Sequence, residues 1–454
     1  MRQPTSATEH DSGPAAPSFR KAGSAALWSR SVVLLATFMN ALLLPLVLEQ
    51  AAIGTYFLAV LAIAGIAILC QLGMTFLIPA TVASALANQD LGRVRKLTAV
   101  ILTLATTMGL VVGVMLAALA PWIVLAFEPS VRADWTIVLP LVATIGPLAG
   151  LTALIVELLR TIHAVHASAY LAALPSLFPA AYAGTVILLG ARATLRDTIF
   201  AILAGSVTSF AIGLWMIGRR VSAWRDKPLM PVRAPDLIRQ TLPNLFTTLV
   251  LFALLNLDLL ILGALGSLGE IAQYGIALRF ATFILVPLAI ANSAATPLAV
   301  QARTAGNGPA VNHLLSTVVA TSAGAALFLY LGFVIVGHPF IALWNASYID
   351  AYWLTLILGM GNVLHACGGA AGILLMVWGD QRRAFTITLA AGATTAVLCL
   401  LGYHFAGVYG LATASAFGNV LQVTLFTQRM RRKLNLDPSV LRLWRSAAPQ
   451  PHSG

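Results

Sequence analysis

Long apolar runs are the feature of this sequence that most restricts its fold. Twelve of them follow one another with short polar connections, and each is close to or above the roughly 20 residues that a helix needs to cross about 30 Å of hydrocarbon. They are too long for barrel strands and lack period-two alternation. The sequence therefore predicts an all-α polytopic membrane protein with about twelve transmembrane helices. The runs fall near residues 27–48, 52–79, 98–127, 135–157, 168–190, 198–218, 241–264, 271–298, 313–337, 351–378, 384–403 and 406–428.

The composition agrees with this prediction. Of the 454 residues, 59% are hydrophobic and only 9% are charged, which excludes a soluble globular protein. The three cysteines all lie inside apolar runs and indicate no disulfide framework. Residues 1–24 are polar and rich in proline, serine and alanine, so they predict a disordered cytoplasmic tail.

The positive charges predict the orientation in the membrane. All of the 27 lysines and arginines except Arg132, Arg192, Arg196 and Arg279 fall in the tails and in loops on one side. Cytoplasmic segments carry the excess of positive charge in membrane proteins. Both termini are therefore predicted to be cytoplasmic. Since these charges are spread over separate loops, they do not indicate nucleic-acid binding, although the anionic lipids of the membrane are expected to attract them.

A repeat of 218 residues divides the chain into two lobes. At this offset Tyr56 pairs with Tyr274, Pro79 with Pro297, Pro121 with Pro339, and the loop 87–90 with the loop 305–308. Because each half has six crossings, both halves enter the membrane in the same direction, as in parallel-repeat transporters. The predicted organisation is a lobe at 25–218, a cytoplasmic linker at 219–240, a lobe at 241–430 and a second cytoplasmic tail at 431–454.

Two kinds of residue within the apolar runs indicate bending and close packing. Prolines are expected to bend the helices, and glycines at four-residue spacing are typical of tight helix packing. The prolines are Pro45, Pro140, Pro147, Pro175, Pro179 and Pro287, and the small-residue seams are Gly109 with Gly113 and Gly410 with Ala414 and Gly418.

Two stretches carry a resemblance to a known family. The stretch at 48–97 (LEQAAIGTYFLAV and onward) has a Gly-x-Tyr after the first helix, a glycine-containing second helix and a basic loop. The stretch at 254–301 has Asp258, Tyr274, an Ala-x-Arg ending at Arg279 and a closing Pro297. Both stretches resemble the polysaccharide (O-antigen type) flippases of the multidrug/oligosaccharidyl-lipid/polysaccharide exporter superfamily.

The resemblance implies a flippase without cofactor in the bacterial cytoplasmic (inner) membrane. Its cargo would be a polyprenyl-pyrophosphate-linked oligosaccharide, which it would move to the outer leaflet for surface polysaccharide biosynthesis. Polysaccharide polymerase and chain-length machinery are the implied protein partners. The superfamily's multidrug branch often uses an acidic residue in its first helix for cation coupling, where this chain has Asn40 and no carboxylate before Glu49.

Ionisable residues inside a membrane are candidates for function, because an arginine or aspartate at a helix centre costs about 2.5–3.5 kcal/mol on insertion scales. Asp258 lies roughly 10 Å and Arg279 roughly 12 Å below the outer surface at 1.5 Å per residue. The two could therefore pair across a short hairpin. Alternatively, Arg279 could bind a lipid pyrophosphate, since a guanidinium matches phosphate oxygens.

The other predicted site residues are polar or charged positions near or within the same helices. Arg30 at the inner mouth could contact a head group, although topology anchoring is the favoured explanation for it. Asn40 and His365 could line the cavity. Glu157 is a candidate for ion coupling together with Asp258, but a local salt bridge with Arg160 is the simpler interpretation.

Two other functions compete with the flippase. A multidrug or cation antiporter of the same fold predicts a cavity with acidic and aromatic lining, whereas the flippase predicts a positive lining. A membrane glycosyltransferase or polymerase would need catalytic residues in sizeable outer loops, and these loops are short. No catalytic constellation, metal-ligand set or phosphate-binding loop is recognisable, so the sequence predicts a protein that is not an enzyme and has no metal site.

Overall fold

The computed structural model describes residues 19–125, 129–224, 232, 234–292, 295, 299, 308–434 and 436–440. Nearly all of these residues are helical, and no strand occurs among them. The prediction of an all-α membrane protein is confirmed.

Six crossings form the N-terminal lobe. The second apolar run is divided between α2 and α3, and each other run corresponds to one helix. Helix α1 packs along α6, while α5 packs against α2, α4 and α7. The helices of this lobe are α1 (Phe19–Val47), α2 (Gln50–Gln71), α3 (Met74–Ala87), α4 (Leu91–Leu125), α5 (Pro129–Thr161), α6 (Val165–Leu189) and α7 (Leu195–Ser222).

The C-terminal lobe repeats this arrangement with more interruptions. Helices α8 and α9 form its first crossing, α10 and α11 its second, and α13 and α14 its fourth. The helices are α8 (Ala234–Leu255), α9 (Leu257–Leu265), α10 (Leu268–Ile284), α11 (Val286–Asn292), α12 (Gly308–Asn345), α13 (Ile349–Ala366), α14 (Ala371–Val377) and α15 (Gln381–Leu434).

Length and hydropathy support twelve crossings. Eight described helical segments are long and apolar enough to cross a membrane, and the bent pair α10–α11 adds a ninth. Two of the eight have 54 and 53 residues, far more than one crossing needs. The first turns at the 3-10 helix Ala346–Tyr348 and the second at Ala406–Gly407. The apolar part of α1, Val32–Val47, is shorter than these segments, and α1 is the twelfth crossing of the predicted set.

Several crossings are broken inside the bundle. Leu72 and Gly73 take left-handed backbone conformations between α2 and α3, and Asn256 separates α8 from α9. Helices α10 and α11 meet at 44°. Pro287 lies in the first turn of α11, where backbone N–H groups have no acceptor within the helix, so the N–H that proline lacks is not needed. The predicted bend at Pro287 is thus confirmed, whereas the assigned helices run continuously through the other five prolines.

The predicted small-residue seams are helix-packing contacts. A Cβ at Gly109 would lie 3.1 Å from Cβ of Pro147, so α4 and α5 approach too closely for a larger residue. Gly410 lies against Gly402, and Gly418 lies against Thr395, so these glycines pack the two halves of α15 against each other. Gly407 at the turn between the halves has φ 58° and ψ −143°, a conformation that only glycine adopts readily.

A shared apolar cluster joins the lobes at one end of the bundle. We call the end where α1 finishes and α2 begins the outer end; this orientation stays a prediction of the charge distribution. One buried apolar cluster contains Leu44 and Ile53 of the N-terminal lobe together with Ile271 and Ile341 of the C-terminal lobe. Toward the inner end, one cluster is drawn from the N-terminal lobe with Leu237 of α8 and another from the C-terminal lobe. Gly73, between α2 and α3, lies against Thr241 and Leu245 of α8, so the lobes are also in contact there.

The predicted tails and linker are only partly described. Helix α1 begins at Phe19, six residues inside the predicted tail. The linker is shorter than predicted, because α7 continues to Ser222 and α8 starts at Ala234. Residues 1–18, 225–231, 233 and 441–454 lie outside the described residues.

An ion-pair cluster lies in the connection before α15. Asp380 contacts Arg429 Nε at 2.7 Å and Lys433 Nζ at 3.0 Å. The hydrogen bond from Arg429 holds the pKa of Asp380 below its ordinary value. These contacts tie the start of α15 to its last turns.

Candidate functional site

Each lobe contains a polar cavity. The cavity of the N-terminal lobe, called the N-lobe pocket, has a volume of about 60 Å³ and lies among α1, α2 and α6. The cavity of the C-terminal lobe, called the C-lobe pocket, has about 130 Å³ and lies among α8, α9, α10, α13 and α15. Both are built around corresponding positions of the repeat, Asn40 and Asp258.

Arg279 is the contribution of the C-terminal lobe to the N-lobe pocket. It extends from α10, and its Cζ lies 5.9 Å from the ring centroid of Phe57 on α2, a distance typical of a cation–π contact. Among the described residues it forms no salt bridge and no hydrogen bond. The pocket therefore has a positive charge that no carboxylate of the described chain neutralises.

Asn40 gives the N-lobe pocket a second polar group without a hydrogen-bond partner among the described residues. The side chain is 6% exposed, and its Nδ2 donates a 2.7 Å hydrogen bond to the carbonyl oxygen of Ser176 on α6. This bond requires the amide nitrogen on that side, which fixes the orientation of the group. The buried Oδ1 has no hydrogen-bond partner among the described residues, so it can accept a bond from a ligand or from water.

Asp258 is the carboxylate of the C-lobe pocket. It lies in the first turn of α9, directly after the break at Asn256, and is 6% exposed. Its Oδ2 accepts a 2.6 Å hydrogen bond from the hydroxyl of Tyr274 and a longer one, 3.5 Å, from Ser415. The backbone N–H of Leu259 donates to Oδ1 at 2.9 Å. No lysine or arginine is among the described residues that line this pocket.

Asp258 and Arg279 do not form the pair that was one of the two alternatives for this arginine. Helix α10 directs Tyr274, which contacts Asp258, and Arg279 to different sides. Tyr274 and Arg279 are five residues apart, which at 3.6 residues per turn separates them by about 140° around the helix. Tyr274 therefore reaches Asp258 in the C-lobe pocket, while Arg279 enters the N-lobe pocket. The carboxylate of Asp258 and the guanidinium of Arg279 therefore line different pockets.

The repeat shows how the two lobes differ. Asn40 and Tyr56 of the N-terminal lobe correspond to Asp258 and Tyr274 of the C-terminal lobe, and all four are buried. The tyrosine–aspartate hydrogen bond exists in the C-terminal lobe. In the N-terminal lobe the tyrosine hydroxyl makes no hydrogen bond with the described residues. The lobes therefore share a scaffold, but only one of them has an ionisable pair of this kind.

The remaining predicted residues lie apart from these two groups. Glu157 and Arg160 form the predicted salt bridge, with Oε2 and Nη1 2.8 Å apart. His365 is hydrogen-bonded to the backbone of Asn419, which borders the C-lobe pocket. The side chain of Arg30 lies outside the described residues, so its role stays a prediction.

The sequence prediction missed two partners of the carboxylate. Tyr274 was used only as a landmark of the repeat and of the family resemblance, and Ser415 belongs to the last crossing, far away in sequence. The pairing of Tyr56 with Tyr274 beside Asn40 and Asp258 was the available signal for the first. For Ser415 the sequence contains no such signal.

No protein-family model matches the chain, and no curated protein matches it in sequence. Solved structures do match it. The inward-facing conformation of a multidrug resistance MATE family transporter of the MOP superfamily has a TM-score of 0.65 and 15% identity, covering 96% of this chain and 97% of that one. The outward-facing conformation of such a transporter gives 0.61 and 14%, covering 92% and 95%. The chain has the fold of the MATE transporters.

A third structure with this fold comes from Pyrococcus furiosus. It is a MOP superfamily transporter in which reverse polarity of the binding pocket suggests a different function, and it matches with a TM-score of 0.62 at 15% identity, covering 92% of this chain and 95% of that one. The MATE fold has twelve helices in two lobes, as the sequence predicted. These matches support the predicted superfamily fold and give no support to the flippase branch.

The hydrogen bond between Tyr274 and Asp258 can be tested in this MATE-like fold. Replacing Tyr274 by phenylalanine removes the donor and leaves a buried acceptor unfilled, which costs about 1–3 kcal/mol. We expect a lower melting temperature for detergent-purified Tyr274→Phe, measured by size-exclusion chromatography after heating.

Tyr56→Phe is the matched control, because it removes the corresponding hydroxyl of the other lobe. We expect it to change the stability by no more than about 0.5 kcal/mol. Equal losses in the two variants would contradict a special role for the bond to Asp258.

Proposed function

We propose that the protein is a secondary active transporter that exports amphipathic organic molecules in exchange for an inward-moving cation, a proton or Na⁺. We assign the binding of that cation to Asp258. The observation that supports this function is a buried carboxylate that lines the C-lobe pocket without a basic partner among the described residues.

The energetics of the site favour an occupied carboxylate. An ionised carboxylate away from water is expensive unless it is paired with a positive charge. Since the described lining of the C-lobe pocket contains no basic side chain, the positive charge has to come from a bound proton or metal cation. Tyr274 and Ser415 offer hydroxyl groups beside Asp258, and hydroxyl and carboxylate oxygens suit both ligands.

The position of Tyr274 supports coupling between this cation and movement of the lobes. Tyr274 belongs to α10, which also packs against α2 of the other lobe. A cation on Asp258 changes the hydrogen bond to Tyr274, and so biases the position of the helix that joins the lobes. A ligand shifts a conformational equilibrium only through such a difference in its contacts.

The fold comparison favours this function over the flippase. Two of the matched structures are multidrug resistance MATE transporters. The acidic C-lobe pocket also agrees with the antiporter, for which the sequence predicted an acidic lining.

Transport of ethidium, a cationic dye, tests the proposal. In proteoliposomes with an imposed proton or Na⁺ gradient, we expect gradient-driven ethidium transport by the native protein. Asp258→Asn should lower the initial rate about tenfold or more, within the 5–150-fold range of typical coupling free energies. Comparing the two gradients identifies the cation.

Asp90→Asn is the matched control, since Asp90 only caps the start of α4 through Arg93 N–H. It should transport at the native rate. The proposal fails if Asp258→Asn retains gradient-driven transport. If Glu157→Gln abolishes transport in that case, Glu157 and not Asp258 is the residue that binds the cation.

A second candidate is the predicted flippase, and Arg279 is the observation that favours it. Its guanidinium enters the N-lobe pocket beside the unfilled oxygen of Asn40. A cation next to a hydrogen-bond acceptor suits an anionic group with a hydroxyl neighbour, as in a phosphorylated sugar lipid. The polymerase and chain-length partners belong to this second candidate alone.

Arg279→Ala separates the two candidates. If the cargo is a cationic amphiphile, removing the positive charge should leave ethidium transport unchanged or raise it, because the cation no longer repels the dye. If the cargo is a lipid-linked phosphate, cells that depend on this protein should lose surface polysaccharide when Arg279 is replaced, as measured by gel electrophoresis of extracted polysaccharide. Loss of ethidium transport with intact polysaccharide would contradict both assignments for this residue.

A further inference from the structure

Two hydrogen bonds cross between the lobes at the outer end. Trp344 Nε1, at the end of α12, donates to the carbonyl oxygen of Leu42 on α1 at 2.9 Å. The next residue, Asn345, donates from Nδ2 to the carbonyl oxygen of Pro45 at 2.7 Å. We call these two side chains the outer latch.

The outer latch uses a backbone acceptor that the end of α1 leaves open. Helix α1 ends at Val47, so its last carbonyl groups have no complete set of helical donors. Leu44 O is taken by Leu48 N–H, while Pro45 O is taken by Asn345 of the other lobe.

The latch residues are held in place on their own side. Asn345 Oδ1 accepts a 3.1 Å hydrogen bond from Ser347 N–H, so both ends of its amide are engaged. The ring of Trp344 stacks on Phe340, with 8° between the planes, and meets Phe280 of α10 edge to face. The donors are therefore presented by a packed aromatic group rather than by a loose loop.

Below the latch, aromatic contacts continue from α10 to α1. Phe280 meets Phe38 edge to face at 6.0 Å, and Phe283 stacks on Phe38 at 4.8 Å. Leu44 and Pro45 of α1 also line the N-lobe pocket. The latch thus lies between this pocket and the outer end of the bundle.

We propose that Trp344 and Asn345 are gate residues that hold the lobes together at the outer end, and that breaking their two hydrogen bonds opens the N-lobe pocket toward the outside. The shared apolar cluster of the outer half fits a closed outer end. Such a gate has two arrangements, closed with both bonds made and open with both carbonyl groups in water. The proposal concerns the opening movement and does not depend on the cargo or the coupling cation.

Cysteine labelling on the two faces of the membrane tests this gate. Ala41, which is 6% exposed and lines the N-lobe pocket, is replaced by cysteine in a chain whose three native cysteines are changed to alanine. A membrane-impermeant maleimide is then added to right-side-out and to inside-out vesicles. Trp344→Phe keeps an aromatic ring and removes the indole N–H donor. Asn345→Asp keeps the shape of the side chain and removes the amide N–H donor.

We expect each substitution to raise the labelling rate of Ala41→Cys from the outside and to lower it from the inside. With both substitutions the outside rate should rise about tenfold, which corresponds to about 1.4 kcal/mol in the closed–open equilibrium. Trp353→Phe and Asn88→Asp are the matched controls, since both side chains are exposed and neither makes a hydrogen bond to the other lobe among the described residues. They should leave both rates unchanged.

The opposite changes on the two faces separate a gate from a merely structural contact. A fold that is only loosened would label faster from both sides, and that result would overturn the proposal. Unchanged rates in both latch variants, at native protein levels and with a native elution profile on size-exclusion chromatography, would overturn it as well.

Discussion

The close packing of α10 against α2 is the contact on which the arrangement of this protein depends. A Cβ on Gly54 would overlap the carbonyl group of Leu268, and a Cβ on Gly275 would overlap the ring of Phe57. Lipid tails are as apolar as helix surfaces, so helices in a membrane associate through such close contacts and not through burial from water. Glycine on each helix lets the two lobes touch along α2 and α10.

That contact gives α10 two different neighbours. One side of the helix carries Tyr274 to the carboxylate of Asp258, and another carries Arg279 into the pocket of the opposite lobe. The only charged side chains that line the two pockets within the described residues are thereby kept apart. The carboxylate lines the C-lobe pocket, and the guanidinium lines the N-lobe pocket. A change at the carboxylate can reach the seam between the lobes through a single rigid element of 17 residues.

The sequence predicted the parts of this structure that follow from length and pattern. The positions of the twelve crossings, the small-residue seams and the Glu157–Arg160 salt bridge depend on spacing along the chain, and the structure confirms them. The pairing of Asp258 with Arg279 was one of two alternatives inferred from depth and a short connector, and it does not occur, because depth does not give direction around a helix. The breaks at Leu72–Gly73 and Asn256 were also missed. At Gly73 the backbone packs against Thr241 and Leu245 of the other lobe, a contact that the local sequence pattern does not reveal. The repeat did indicate the tyrosine partner of the carboxylate, because it pairs Asn40 with Asp258 and Tyr56 with Tyr274 at the same offset.

We propose that the cation bound at Asp258 controls the arrangement of the lobes. The distance between spin labels on the outer ends of the two lobes measures this directly, with labels at Leu188→Cys on α6 and Leu343→Cys on α12, which are 87% and 90% exposed. In a chain without its native cysteines, double electron–electron resonance spectroscopy should show a short-distance and a long-distance population of label pairs. The ratio of these populations should change when protons or Na⁺ are added. We expect Asp258→Asn to fix this ratio under all conditions. A ratio that responds to neither cation in the native protein, or that responds equally in Asp258→Asn, would contradict it.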